Sequence, residues 1–317
     1  MFLCNYKAKN LIPPLTHSVF SGKIAFLTAL ILINSLCVFA QDASLQDMIW
    51  VEGGSFQMGQ NGDGTVDNVT SVHTVTLSGF YIGKYEVTQE QYIAVMGANP
   101  SSFTANADAG EIQNRRPVEM VSWYDALVFC NKLSITEGLT PAYRISGKTD
   151  PAAWGKTPVT GNAVWNAVTM VSGSTGYRLP TEAQWEYAAK GGSSAYNTYK
   201  IYSGGDTIDD MAWYSGNSNY KTHEVGKKEP NELGIYDMSG NVYEWCWDRV
   251  GDYSSTAETD PIGAPAGFSV RVSRGGGWNT SAMYVRSAYR LGYNPFYQRY
   301  FIGFRVVRPA QLPESDE

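Results

Sequence analysis

Between residues 48 and 85, apolar and polar positions alternate with a period of two, broken by glycine. Met48-Ile49-Trp50-Val51 and the stretch ending Ser55-Phe56-Gln57-Met58-Gly59 predict two strands around the Gly53-Gly54 turn. Residues 73–77 predict a third strand and 80–85 a fourth. The pattern then turns helical. Three helix starts are written as capping boxes, in which a hydroxyl caps a backbone N–H three residues on and that residue's side chain reaches back. They are Thr88 with Gln91, where Val87 staples onto Tyr92; Ser122 with Asp125, its helix running to Leu133; and Thr181 with Gln184, ending at Gly191-Gly192. Residues 136–175, rich in Gly, Thr, Pro and Ser, predict a surface insertion with one hairpin. Residues 192–234 and 249–270 read as loops, 234–248 as a turn and a strand, and 312–317 as a frayed acidic tail. In the loop 60–68, Asn61, Asp63 and Asp67 lack the glutamate that closes an EF-hand, so it reads as a turn.

Residues 271–308 break the pattern. Both ends, Arg271-Val272 with Arg274 and Gly303-Phe304-Arg305-Val306-Val307-Arg308, read as short buried strands. Between them lie Met283, Tyr284, Tyr289, Tyr293, Phe296, Tyr297, Tyr300 and Phe301, interrupted by Pro295, with neither strand nor helix period. Such a segment is a packed irregular loop or a recognition surface. Recognition is favoured, because Tyr and Phe bring large area with few torsions and Tyr adds a hydrogen-bonding tip. The alternative is that half of these rings fill the core. The candidate patch is Thr280, Met283, Tyr284, Tyr289, Tyr293, Phe296, Tyr297, Tyr300 and Phe301, joined by Asn279, with Trp278 at its base.

Composition narrows the classes. With 317 residues and 43% apolar content the chain can bury one large core. Residues 1–40 hold Lys7, Lys9 and Lys23, no acid, and an apolar run over 24–40 that suits a signal peptide. Secretion or a periplasmic location is favoured; cleavage and lipidation at Cys37 is the alternative, and would be the chain's route to a membrane. With no repeat or linker, 41–317 reads as a single domain. Without the leader's three lysines the formal charge falls from −6 to −9, which argues against nucleic acid as a partner. The 271–308 segment nonetheless carries Arg271, Arg274, Arg286, Arg290, Arg299, Arg305 and Arg308 and no acid. The favoured reading is that several are buried against carboxylates elsewhere. Beyond the leader only Cys130 and Cys246 remain, open to one disulfide, and only His73 and His223, too few for a multi-histidine metal centre.

The blocks Trp50–Gly59, Tyr85-Glu86-Val87-Thr88, 117–123, 177–189, 234–245, Arg274-Gly275-Gly276 and Gly303-Phe304-Arg305 resemble the formylglycine-generating enzyme (sulfatase-modifying factor) domain, in family order across 48–308. The resemblance implies an α+β, C-type-lectin-like fold with long loops and little regular secondary structure. It also implies oxidation of a sulfatase cysteine by a copper-binding cysteine pair. That pair would fall on Thr280 and Val285, and neither side chain can replace a thiolate ligand of copper(I). The enzymatic reading therefore fails at its own reactive residues.

A narrower resemblance, to the variable receptors of diversity-generating retroelements of the Treponema variable protein type, implies a hypervariable ligand-binding patch at the C-terminal end of the same fold. Fixed-looking Arg274-Gly275-Gly276, Arg286, Ala288, Arg290, Pro295 and Gly303-Phe304-Arg305 frame slots filled by Asn, Thr, Ser, Tyr, Phe, Leu and Gly. Most of these are reachable from an Asn codon; Met283 and Gln298 are not. The family resemblance further implies a structural calcium site at Asp237, Gly240, Val242 and Glu244; the alternative is that those acids pair with arginines. The expectation is a non-catalytic, exported, monomeric protein that needs no cofactor and binds a protein or glycan on another cell or host. Its rival is an oxidoreductase acting on sulfatases.

Overall fold

The computed structural model describes residues 47–60, 72–195, 200–264 and 269–310. The leader with Cys37, the acids of the 60–68 loop and the tail lie outside them. The described residues all fall within one compact unit that begins at Leu45.

The elements, in chain order, are β1 (Met48–Val51), β2 (Gly54–Met58), β3 (His73–Leu77), β4 (Phe80–Gly83), α1 (Gln89–Met96), α2 (Trp123–Thr136), β5 (Tyr143–Arg144), α3 (Ala163–Asn166), β6 (Thr169–Met170), α4 (Glu182–Ala189), α5 (Ile208–Met211), β7 (Tyr243–Arg249), β8 (Glu258–Thr259), β9 (Arg271–Arg274), β10 (Arg290–Tyr293), β11 (Ile302–Gly303) and β12 (Val307–Pro309). All three capping boxes close with both of their hydrogen bonds. Small sheets and short helices joined by long loops make the α+β, C-type-lectin-like architecture. The largest sheet has the strand order β10-β9-β7-β11; two three-stranded sheets run β1-β4-β12 and β2-β3-β8.

β7 explains why residues 243–248 mix aromatics with acids. Side chains of a strand alternate between faces. Tyr243, Trp245 and Trp247 join the core around α2, while Cys246 joins the core under α4. Glu244 and Asp248 share the Cys246 face, where they meet Trp185 Nε1 and the backbone N–H of Glu182.

Two expectations need correction, and one question left open by the sequence is answered. Residues 136–175 are not a mere surface insertion. β5 pairs with β6, and Tyr143, Trp154 and Trp165 are buried in the α2 core, Trp165 edge-on to Tyr124. The 280–301 segment is not wholly irregular either, since β10 pairs antiparallel with β9 from Arg290↔Arg274 to Tyr293↔Arg271. Cys130 and Cys246 do not form a disulfide; both are free, buried thiols in different core clusters.

Candidate ligand-binding face

The arginines of 271–308 build the frame under the aromatic segment. Arg274, fully buried, donates through Nη1 to the carbonyls of Ala288 (3.0 Å) and Tyr289 (2.8 Å), and through Nη2 to that of Ser287 (3.0 Å) and to Glu186. Arg290 grips Glu182 with Nε and Nη2 at 2.8 and 2.6 Å. Arg305 grips Glu244 at 2.6 and 2.7 Å. Planar guanidinium forks against carboxylates give fixed, two-pronged geometry in a dry interior. Arg271 has another solution. Its guanidinium lies 3.7 Å from the centre of the Trp123 ring and donates to Trp247 O, and burial pulls its pKa down to about 9. Of the remainder, Arg299 is exposed and stacks at 4.5 Å on Tyr297.

On that frame the rings form one connected surface. Phe296 meets Tyr297 at 5.2 Å, Tyr297 meets Tyr293 at 6.4 Å, and Tyr293 meets Phe301 at 5.9 Å. Phe301 then meets Tyr300 at 5.4 Å, and Tyr300 meets Trp278 at 5.7 Å. Tyr300 is exposed; Thr280, Met283, Tyr284, Tyr293, Phe296, Tyr297 and Phe301 are each half-buried, and Asn279 is open to solvent. Trp278, 7% exposed, is the base, its Nε1 donating to Tyr300 O. Half-buried rings suit recognition, because one edge is anchored and the other stays wet.

Tyr289 departs from the expectation. It is only 7% exposed, edge-on to Tyr284, and its carbonyl is held by Arg274 where β10 begins. It supports the face from below. The segment is also braced from outside itself. Pro295 O accepts from Trp123 N, Gln298 Nε2 donates to the capping residue Asp125, Thr280 O accepts from Ser215 N, and Trp278 O accepts from Ser218 Oγ. Sequence reasoning missed Phe103, whose half-buried ring extends the surface edge-on to Trp278 at 5.3 Å. No periodicity marks the 97–112 loop, so no local signal pointed to it.

The two positions that would carry cysteines are unlike each other. Thr280 closes a turn with its hydroxyl on Gly277 O, and Val285 is fully buried beside Tyr202, Met211 and Ala212. Gly276, at φ +74°, has no room for a Cβ, which would sit 2.5 Å from Val285 Cγ1. The thiols among the described residues, Cys130 and Cys246, are pushed well above the usual thiol range by burial. A protonated, sealed thiol is neither nucleophile nor metal ligand.

The residues proposed for calcium sit together at a tight turn, but their carboxylates already have partners. Glu244 accepts from Arg305 on both oxygens and from Trp185, and Asp237 accepts from Gly226 N (2.7 Å). The neighbouring Glu86 accepts from Val242 N. Three buried carboxylates, Glu86, Asp237 and Glu244, face one guanidinium. Protons relieve that excess: burial first, then neighbouring carboxylates, push Glu86 well up, and burial pushes Asp237 to about 6. A calcium ion would have to displace Arg305 from Glu244, so this arrangement does not fit one.

A model of the sulfatase-modifying factor enzyme 1-like domain matches residues 36–310. The fold superposes on Treponema denticola variable protein 1 with a TM-score of 0.76 and 42% identity, covering 83% of this chain and 95% of that one. The chaperone protein LppX of Paenibacillus barcinonensis is 43% identical over 261 residues, 77% of this chain and 82% of its own length. A formylglycine-generating enzyme of Streptomyces coelicolor is 28% identical over 306 residues, 86% of this chain and 92% of the enzyme.

Proposed function

This chain belongs to the family of the sulfatase-modifying factor enzyme 1-like domain, and from that premise we propose that it is a non-catalytic, exported ligand-binding protein. Its ligand, a protein or glycan on another cell, seats on the 278–301 face. The observation that carries this is the connected, half-buried aromatic surface from Phe296 to Trp278 on a buried arginine–glutamate frame. Similarity to the Treponema variable protein supports the same reading. The enzymatic alternative lacks its chemistry, because Thr280 and Val285 hold no sulfur and the two thiols among the described residues, Cys130 and Cys246, are sealed. The leader-like residues 1–40 support export. No metal is required in this reading.

The test compares wild type with a Tyr284→Ala, Tyr297→Ala, Tyr300→Ala variant for binding to intact bacterial and epithelial cells by flow cytometry. Tyrosine anchors carry much of an interface's energy, so a loss of at least about tenfold in affinity is expected. Undiminished binding by the folded variant refutes the assignment of the face. Conversion of a sulfatase cysteine peptide to formylglycine by the copper-loaded protein refutes the absence of catalysis. Sequencing 278–301 across isolates tests hypervariability, which predicts changes concentrated there and sparse over 48–270.

A further inference from the structure

A second concavity lies away from the aromatic face. Its volume is about 360 Å³, and its walls come from β3, the start of α4, the end of β7 and the 251–264 loop. Glu182, Asp248, Tyr253, Glu258, His73 and Arg290 line it. Glu182 is fully answered by Arg290 and by the Tyr253 hydroxyl at 2.9 Å, so that trio adds no net charge. Asp248 is different. It is buried, its Oδ2 accepts only the backbone N–H of Glu182 (2.8 Å), and among the described residues no cationic side chain closes to ion-pair distance of it. Gly263, at φ +83°, brings the loop against this carboxylate so closely that a Cβ there would lie 2.8 Å from Oδ1.

His73 closes one side of the cavity, its side chain 3% exposed and its Nε2 3.5 Å from Glu258. The wall also carries an aromatic ring, Tyr253, 5.0 Å from His73. With Asp248, Glu258 and Asp252 set against Arg249, whose Nη2 is bonded to Asn166 O, acid predominates. Burial, and then Glu182, hold the Asp248 carboxyl up at about 7, the cost a cation would remove.

We propose that this cavity is a second binding site, for a small organic cation carrying an ammonium or guanidinium group, which pairs with Asp248 and lies against Tyr253. Its size is in the range of ordinary small-ligand pockets. The cavity uses none of the aromatic patch residues, although Glu182 and Arg290 in its wall also belong to the frame beneath that face.

The test uses the full chain with agmatine and putrescine as probes and butyrate as the anionic control, read by thermal shift and calorimetry. Wild type is expected to gain Tm with agmatine concentration, following mass action up to about 10 mM. Asp248→Asn keeps the acceptor for Glu182 N and removes the charge; it should weaken agmatine at least about tenfold, the loss expected for a desolvated ion pair. Ala264→Phe, which fills the cavity without touching its charges, should abolish the shift. An absent shift in wild type, an equal shift with butyrate, or equal agmatine binding by wild type and both variants overturns the proposal. If Asp248→Asn fails to fold, Ala264→Phe still decides it.

Discussion

Arg274→Met tests whether the aromatic face is held up from beneath. The wild-type guanidinium is fully buried and serves the carbonyls of Ser287, Ala288 and Tyr289 as well as Glu186. Methionine fills much of the same volume but supplies no donor. Three carbonyls are then stranded, at about 1 kcal/mol each. Glu186 keeps Lys190 at 2.6 Å and Gly59 N at 2.7 Å, so its loss is partial, about 1–2 kcal/mol. The total, about 4 kcal/mol, sits within the usual cost of breaking a buried charge pair. In a domain of this size it lowers Tm by about 10 °C. Arg274→Lys keeps a charge near Glu186 but cannot span the fork, so about half the loss is expected. The assay is urea denaturation with hydrogen exchange, in which residues 282–291 should lose protection more than α2. A cost under about 1 kcal/mol for methionine, or uniform loosening across the domain, refutes the reasoning.

Stability should peak in mildly acidic buffer. Folding raises Glu119 and Asp248 to about 7 and Asp237 to about 6, in each case chiefly through burial. The folded state therefore holds protons that the unfolded state releases from about pH 4 upward, and stability falls as pH rises to about 7. Glu186 behaves oppositely: despite burial, Lys190 and Arg274 hold it below its usual range, so its contribution disappears as acid protonates it. A Tm at pH 8 equal to or above that at pH 5 contradicts this. Native protein should leave Cys130 and Cys246 unreacted with a thiol reagent that titrates both in denaturant; rapid native labelling shows an access route absent from this packing. Millimolar calcium followed by chelator should leave Tm unchanged, since Glu244 is already held by Arg305. A rise reversed by chelation would mean that the arginine yields.

Local chemistry was legible where it acts over three or four residues. Thr88/Gln91, Ser122/Asp125 and Thr181/Gln184 each announced a helix start, and each closes as a capping box. Helix ends were less legible: the helix expected to stop at Leu133 runs on to Thr136. The excess of arginine without acid in 271–308 correctly pointed to distant carboxylates, and they proved to be Glu182, Glu186 and Glu244. The residues missed, Phe103 at the rim and Trp154 and Trp165 beneath 136–175, lie in stretches whose order comes from distant contacts rather than a repeating pattern.

The amino-acid sequence by itself determined the helix starts, the strand alternation and the absence of sulfur at Thr280 and Val285, because each depends on residue identity or spacing alone. Only the tertiary structure decided that Tyr289 turns inward while Tyr300 faces water, and that Glu244 belongs to Arg305. Those outcomes rest on which groups share a dry interior across 61 residues of chain and more, a competition for burial and partners that no local pattern encodes.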